Sequence, residues 1–285
     1  MKRKDRIKLN FSRNWNLPGK ERLSNWIKPS AELKSSVKNG IVWLTNEDIA
    51  INTSADNYIE WSILSSGSYE SEIGKLISIS LKQGYIAMDI GANIGIQTLR
   101  MSQCVGANGK VYAFEPLNHL QEKFRRNVQL NNAGNVTLFP FALSDSAAEA
   151  NFKIDKDSWN QGTFSIGNKN SGNKDQHVIV KVADEIEDIE NLPRLDLIKI
   201  DVEGFEYNVL LGLKNTLHKH KPRIIFEYDS NYWLNNGKSI LECYNYLKSF
   251  NYMLYQITSV GCESINKVNN IESGNIFCIQ ELNEE

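Results

Sequence analysis

The sequence predicts an α/β fold in which a mostly parallel sheet is covered by helices on both faces. Short apolar runs alternate with helical patterns from residue 85 onward, and the links between most of them are short. Strands and helices that alternate in this way form parallel sheets. Several of the runs end in an acidic residue, and the first is followed by a Gly-x-x-x-Gly turn. These features predict a ligand pocket at one edge of the sheet.

Composition indicates a globular chain without a strong overall electrostatic field. It has 285 residues, 41% apolar and 23% charged, with a net charge of −2. The charge is uneven, because residues 1–40 carry 11 Lys/Arg and 3 Asp/Glu (+8) and the remainder carries 21 and 31 (−10). We interpret the basic end as a solvated extension; an arm that meets an anionic partner is the alternative.

The sequence also restricts location and partners. We expect no transmembrane segment, because no apolar run reaches membrane-spanning length, and no signal peptide. The four cysteines show no paired spacing, which favours free thiols and a cytoplasmic location. No nucleic-acid partner is expected, and the oligomeric state is left open.

The first half of the chain contains most of the alternation. Residues 1–64 are expected to form the basic extension, with a small hairpin at the apolar run 41–44, and residues 65–285 one domain. Helical spacing of apolar residues predicts helices over 58–81, with a break at 67–70. The elements that follow are strand 85–90, helix 94–105, strand 110–115, helix 117–130 and strand 136–143.

An insert of about residues 146–182 interrupts this rhythm. It is polar and rich in glycine, and short alternating pieces at 151–154 and 177–182 predict a hairpin near the open edge of the site, as a lid or a plain surface loop. The last two strands have no helix between them, which predicts an antiparallel pair. The elements after the insert are strand 195–200, helix 206–217, strand 223–228, helix 239–250 and strands 253–258 and 276–279.

The turn after the first strand predicts the cofactor. Gly91 and Gly95 let backbone approach a ligand, and the helix start beside them presents unpaired N–H groups. Glu115 ends the next strand, where an acid can hold ribose hydroxyls. Asn93 replaces the middle glycine of a dinucleotide site, and the Asp89 carboxylate repels a pyrophosphate but suits a cation. S-adenosylmethionine is therefore the predicted cofactor, with a nicotinamide dinucleotide as the alternative.

Four longer motifs carry a family resemblance. They are Asp-Ile-Gly-Ala-Asn-Ile-Gly at 89–95, Ala-Phe-Glu-Pro at 113–116, Ala-Leu-Ser-Asp at 142–145 and Ile-Lys-Ile-Asp-Val-Glu-Gly-Phe-Glu at 198–206. Together they resemble the FkbM family of S-adenosylmethionine-dependent methyltransferases over about residues 65–260, and Gly-Ser-Tyr-Glu at 67–70 resembles the family's lead-in. The resemblance implies a doubly wound, Rossmann-like sheet of seven strands and methyl transfer to a hydroxyl oxygen.

The resemblance also implies roles for cofactor-binding residues. The methionine part of the cofactor would be surrounded by Asp89, Gly91, Ala92 and Asn93. Glu115 would take the ribose hydroxyls. The adenine would lie against Pro116, Ala142 and Asp145. Glu70, in the motif at 67–70, is also predicted to bind the cofactor.

The acids of the second half are the candidates for chemistry. Methyl transfer needs alignment of acceptor and methyl group and removal of the acceptor proton. We predict Asp201 as the general base, with Glu203 and Glu227 binding acceptor hydroxyls. Three alternatives stay open: Asp201 and Glu227 hold Mg²⁺, His177 is the base, or Asp201 merely caps the following helix. Magnesium is not favoured, and no metal site is assigned.

The sequence thus predicts a methyltransferase that acts on a hydroxyl of a small molecule or glycan, namely a sugar or a secondary metabolite. Tyr228, Tyr232 and Trp233 follow Glu227 and either stack on an acceptor ring or pack in the core. The alternatives are N- or protein methylation, a nicotinamide-dependent oxidoreductase, and a cofactor-binding protein without catalysis.

Overall fold

The computed structural model describes residues 40–55, 57–153, 175–258, 260–265 and 271–280, with the single positions 29, 31, 34, 37 and 268. The described strands are β1 Gly40–Trp43, β2 Ala50–Thr53, β3 Ile86–Ile90, β4 Lys110–Phe114, β5 Val136–Phe139, β6 Ala142–Ser144, β7 Ala148–Lys153, β8 Asp175–Val182, β9 Leu197–Ile200, β10 Arg223–Asp229, β11 Tyr252–Thr258, β12 Gly261–Ser264 and β13 Ser273–Gln280. The helices are α1 Tyr58–Ser66, α2 Ser71–Ser80, α3 Ile96–Val105, α4 Asn118–Leu130, α5 Glu187–Glu190, α6 Glu206–Gly212, α7 Lys214–His220, α8 Ser230–Asn235 and α9 Ile240–Lys248, with a 3₁₀ turn at Ala183–Glu185.

The central sheet confirms the predicted α/β fold. Its order is β12-β11-β13-β10-β9-β3-β4-β5. The five strands from β10 to β5 are parallel, and β13 lies antiparallel between β10 and β11. The sheet has eight strands instead of the predicted seven, because residues 261–264 pair with β11 as an edge strand.

Alternate residues of the central strands point to opposite faces, and each face is covered by helices. On one face, Met88, Ile198 and Phe226 pack with Leu210 and Leu247. On the other, residues of α2 and α3 pack against the sheet positions Ala87, Val111, Leu197 and Ile225. The doubly wound arrangement follows from this alternation.

Two predicted elements are divided in the structure. The strand predicted over 136–143 is interrupted at Pro140, which has no N–H for a ladder hydrogen bond. Its first part, β5, stays in the central sheet, and its second part, β6, pairs with β8. The helix predicted over 206–217 is interrupted at Leu213, next to Gly212, where a Cβ would lie 2.1 Å from the Ser144 carbonyl oxygen.

The insert forms a small second sheet together with β6, in the order β6-β8-β7. The hairpin predicted within the insert is therefore present as the antiparallel pair of β7 and β8. The prediction of a lid falls partly on residues 154–174, which lie outside the described residues.

The β1–β2 hairpin, placed by the sequence in the extension, packs against the larger domain. Its Val42, Leu44, Ile49 and Ile51 share a core with residues of α3 and α4. The Asn127 side chain on α4 accepts a hydrogen bond from the Asn52 N–H at 2.8 Å. Residues 1–28, which carry most of the predicted basic extension, lie outside the described residues. No helix in the described ranges combines the length and apolar character needed to cross a bilayer.

Candidate functional site

A cavity of about 710 Å³ opens at the carboxyl ends of the central parallel strands. β10, β9, β3 and β4 are consecutive neighbours in the sheet, so residues distant in sequence meet at this edge. Eleven of the twelve predicted site residues line the cavity: Glu70, Gly91, Ala92, Asn93, Glu115, Pro116, Ala142, Asp145, Asp201, Glu203 and Glu227. The twelfth, Asp89, lies behind it.

The turn from β3 into α3 depends on two glycines. Gly91 has a φ of +82°, and a Cβ there would lie 1.8 Å from the carbonyl oxygen of Asp201. Gly95 has a φ of +94°, and its Cβ would meet the Phe124 ring at 2.9 Å. Between them, Asn93 adopts a φ of +51°. Gly91 therefore allows the loops after β3 and β9 to come into direct contact at the cavity wall, and Gly95 allows α4 to pack closely against the start of α3.

Glu115 links this turn to the end of β4. Its Oε2 accepts a hydrogen bond from the Asn93 N–H and its Oε1 one from the Leu117 N–H, both at 2.9 Å. Burial raises the pKa of Glu115 to about 7, although these N–H donors oppose the shift. A carboxylate accepts about four hydrogen bonds. The two that the backbone makes leave acceptor positions for a pair of hydroxyl groups.

Asp89 is completely buried behind the cavity, and Lys199 lies between it and the cavity residue Asp201. Its Oδ2 accepts a hydrogen bond from Thr98 Oγ1 at 2.5 Å, and its Oδ1 lies 4.0 Å from Lys199 Nζ. Lys199 also donates to Asp201 Oδ2 at 3.0 Å. Burial opposes the charged form of Lys199, but Asp201, Asp89 and Glu70 outweigh it and raise its pKa. The predicted contact of Asp89 with the cofactor thus stays a prediction. In the structure Asp89 is connected to the cavity through Lys199, which lies between it and Asp201.

The three acids predicted for chemistry lie around Lys199. The negative charge of Asp201, followed by burial and a hydrogen bond between the two carboxyls, raises the pKa of Glu227 to about 9. Burial and the charge of Asp201 raise the pKa of Glu203 to about 8. Glu203 also has a φ of +55°, a backbone conformation that non-glycine residues rarely adopt. The ammonium of Lys199 is positioned to stabilise the Asp201 carboxylate in this crowded group.

Glu70 reaches the cavity from the loop between α1 and α2. It has a φ of +44°, and its carboxylate accepts a hydrogen bond from Gln97 Nε2 at 2.9 Å. Arg100 on α3 holds this loop, because it donates to the Tyr69 carbonyl at 2.8 Å and forms two hydrogen bonds of 2.7 Å with Glu47. Glu47 follows β1, so the hairpin supports the backbone that carries Glu70.

Pro116, Ala142 and Asp145 line the cavity near the ends of β4 and β6. The Asp145 Oδ2 accepts a hydrogen bond from Asn208 Nδ2 at 3.1 Å. Their predicted contact with an adenine ring remains a prediction that this placement allows.

The structure gives other functions to several residues that the sequence left open. His177 is exposed, pairs with Glu149 at 3.1 Å and does not line the cavity. Trp233 is buried and donates to Glu206 Oε2 at 2.8 Å, and the Tyr228 ring packs edge-on against it. The residue that precedes α6 as its N-cap is Phe205, so Asp201 does not cap this helix.

Glu206 shapes the loop that carries Glu203. Its Oε1 accepts hydrogen bonds from the N–H groups of Val202 and Gly204, at 2.8 and 3.1 Å. Burial raises its pKa to about 7. Among the described residues, no group of three or more His, Cys, Asp or Glu side chains is arranged to hold a metal ion, and the magnesium alternative stays untested.

Sequence reasoning did not assign Lys199, Tyr69 or Gln97 to the site, although all three line the cavity. The signal for Lys199 was a single charged residue inside the apolar strand Ile-Lys-Ile of a central, buried sheet. Tyr69 and Gln97 carried no comparable signal.

Comparison with known proteins identifies a family. The Methyltransferase FkbM domain model matches residues 89–254, more than half of the chain. Methyltransferase 1 of Beauveria bassiana is 28% identical over 173 residues, which are 54% of this chain and 69% of that protein. Hexuronic acid methyltransferase AglP of Haloferax volcanii is 26% identical over 150 residues, 52% of this chain and 58% of that protein. The chain therefore spans less than two thirds of AglP.

Among solved structures, methyltransferase FkbM from Methylobacillus flagellatus KT is similar with a TM-score of 0.43 and 15% identity. The similarity covers 77% of this chain and 53% of that chain.

Proposed function

Because the chain belongs to the FkbM methyltransferase family, we propose that it transfers a methyl group from S-adenosylmethionine to a hydroxyl oxygen of a sugar, as in a glycan, or of a secondary metabolite. The observation that carries this proposal is the composition of one cavity. A glycine turn with Glu115 beside it and the group of Asp201, Lys199 and Glu227 line the same space. Family membership favours methyl transfer over the hydride transfer that the sequence left open.

The residues on one side of the cavity fit the cofactor. Glu115 keeps acceptor positions for the two ribose hydroxyls, and the volume lies in the range of small-molecule sites. The methionine part would be held along residues 91–93 with Glu70, and the adenine beside Pro116, Ala142 and Asp145. When bound, S-adenosylmethionine supplies a methyl group on a positively charged sulfur that leaves as a neutral thioether.

The residues on the other side fit the removal of a proton. In this transfer the acceptor oxygen would form the new bond to the methyl carbon, the electron pair of the broken carbon–sulfur bond would stay with sulfur, and the hydroxyl proton would pass to the protein. Asp201 is the proposed base. Its hydrogen bond with Glu227 means that the two carboxyls take up this proton as a pair, while Glu203 and Glu227 bind acceptor hydroxyls.

Lys199 has a proposed positioning function in this step. Its ammonium lies 3.0 Å from Asp201 and 4.0 Å from Asp89 and orients the Asp201 carboxylate. A divalent cation between Asp201 and Glu227 would meet this ammonium at close range, which disfavours the magnesium alternative.

The test combines cofactor binding with turnover. Calorimetry with S-adenosylhomocysteine and with NAD separates the two cofactor classes, and we expect binding of the first alone. Labelled S-adenosylmethionine is then offered with a panel of glycans and hydroxylated metabolites, and mass spectrometry locates the transferred methyl group. A label on nitrogen or on protein would support those alternatives instead.

Substitution of Asp201 by Asn tests the base. Loss of a positioned base lowers turnover by about 10²–10⁴-fold, whereas affinity for S-adenosylhomocysteine should change little. The control is Asp188→Asn, a matched change at an exposed position, which should retain parental turnover. An Asp201→Asn variant with parental activity would show that another group takes the proton.

A further inference from the structure

Acidic groups strongly outnumber basic groups among the residues that line the cavity. Among the described lining residues there are seven carboxyl groups and one ammonium group, and no arginine or histidine. The carboxyls belong to Glu70, Glu115, Asp145, Glu149, Asp201, Glu203 and Glu227, and the ammonium to Lys199. S-adenosylmethionine adds a single net positive charge. A cavity of this kind attracts cations and repels anions.

Most of these carboxyls already have partners in the described chain. Glu115 is bound by backbone N–H groups and Glu70 by Gln97, while Asp201 is paired with Lys199. Asp145 is bound by Asn208, and Glu149 pairs with His177. Lys199 is in turn shared between Asp201 and Asp89.

Glu203 and Glu227 are the lining acids left without a nitrogen donor among the described residues. Glu227 is hydrogen-bonded to another carboxyl, that of Asp201, and both Glu203 and Glu227 are half-buried. The charge of Asp201 acts against the ionised form of each, and each has a raised pKa. A cation bound beside them would offset the charge of Asp201 and favour the ionised form of both carboxyls.

Two tyrosines lie near this group of acids. Tyr69 lines the cavity, and the charges of Glu70, Asp201 and Glu227 act on its phenol. The Tyr232 Cβ lies 2.7 Å from the position of a Cβ on Gly204, next to Glu203, and its phenol is influenced by Glu203 and Glu227. Tyrosine rings and carboxylates are common elements of protein sites for ammonium groups, and Tyr69 brings the first of these to the cavity wall.

We infer that the methyl acceptor carries a protonated amine close to the hydroxyl that receives the methyl group, and that Glu203 and Glu227 bind this amine in addition to neighbouring hydroxyls. The inference rests on the proposed function and narrows its acceptor to an amino sugar or amino alcohol. The inference also disfavours acceptors that carry a carboxylate, such as a uronate. The carboxylate of a uronate would lie near Glu203 and Glu227, and the single cation among the described lining residues, Lys199, is already paired with Asp201 and Asp89.

The test uses three probes that share a pyranose ring: methyl glucosaminide, methyl glucoside and methyl glucuronide. Their affinities are measured by calorimetry at pH 7 on the full chain, with and without S-adenosylhomocysteine. We expect the glucosaminide to bind roughly tenfold more tightly than the glucoside, as for one charge-assisted hydrogen bond, and the glucuronide to bind more weakly than both. Glu203→Gln and Glu227→Gln should each reduce the preference for the amine, and the exposed control Glu263→Gln should retain it.

The inference is overturned if the glucuronide binds as tightly as the glucosaminide, if none of the three probes binds, or if both glutamine variants keep the full amine preference. Thermal unfolding of each variant, followed by circular dichroism, shows that it is folded. The proposed function fails separately, if S-adenosylhomocysteine does not bind to the parent chain. In that case the order of the three sugars on the chain alone still decides whether the cavity selects an amine.

Discussion

Arg100 connects the N-terminal hairpin with the cavity, and its replacement by alanine is the most informative single change. Its side chain is 4% exposed and forms two hydrogen bonds of 2.7 Å with Glu47. The same guanidinium donates to the Tyr69 carbonyl and to Gln97 Oε1, and Gln97 in turn binds Glu70. Arg100→Ala should therefore reduce both stability and cofactor affinity.

The size of the effect on stability follows from burial. Removal of one partner of a buried ion pair costs about 3–5 kcal/mol. Glu47 is 27% exposed and can regain water, so we expect the lower end, about 3 kcal/mol. For a chain of this size that loss corresponds to a decrease in Tm of roughly 6–12 °C. Arg100→Lys keeps the charge but loses the two-pronged pairing with Glu47, and should fall between the parent and the alanine variant.

The assay pairs thermal unfolding with calorimetric titration of S-adenosylhomocysteine. Displacement of Glu70 should weaken the affinity about tenfold, since it removes roughly one charge-assisted hydrogen bond. Arg126→Ala, an exposed arginine on α4, is the control and should change neither quantity. If Arg100→Ala unfolds within about a degree of the parent, the ion pair does not stabilise the fold as argued. If it loses stability but binds the nucleoside with parental affinity, the loop at residues 67–70 does not form part of the cofactor site.

Three further changes test separate parts of the site. Gly91→Ala places a Cβ 1.8 Å from the Asp201 carbonyl oxygen at a φ of +82° and should cost more than about 2 kcal/mol; Gly134→Ala, with nothing within 4 Å, should be neutral in the same urea titration. Glu227 has a pKa raised from 4.5 to about 9 in the folded chain, so its contribution to stability is present below pH 4.5 and is lost as the pH rises through about 9. Melting curves from pH 5 to 9 should show that the Tm of Glu227→Gln rises relative to that of the parent as the pH increases. A constant difference in Tm would contradict the pKa shift. Asp89→Ala should weaken S-adenosylhomocysteine binding by freeing Lys199, while unchanged affinity by calorimetry would remove Asp89 from the site.

Much of the fold could be predicted because the signals are local. The apolar run before Gly91 and the helical stripe after Gly95 fixed β3 and α3 to within about two residues. Pro140 was also visible in the sequence, but its consequence depends on a distant partner, since the strand after it pairs with β8 across the insert. The edge strand Gly261–Ser264 has four exposed residues, and without a buried face it left no alternation to detect.

The site could be predicted as a list of strand ends, but its internal contacts could not. Parallel strands bring their carboxyl ends to one edge, which is why Asp201, Glu227 and Glu115 line one cavity. Whether a carboxylate at a strand end points into the cavity or behind it depends on the packing of the next helix. Asp89 is turned toward Thr98 of α3 and is fully buried, a contact that no spacing rule specifies.

Lys199 changes how the acids should be interpreted. The sequence analysis predicted that the negative charge of Asp89 attracts a cationic cofactor. That prediction assumed that each carboxylate has no partner within the protein. In the structure, Asp89 and Asp201 share the buried ammonium of Lys199. This positive charge offsets a large part of their negative charge within the protein. Glu203 and Glu227 have no such partner among the described residues and their pKa values are raised, so a bound cation would favour their ionised forms. The electrostatic selectivity of the cavity is therefore expected to act on the acceptor more strongly than on the cofactor, and affinities for a charged and an uncharged form of each, measured across a range of salt concentrations, would show which of the two responds more steeply.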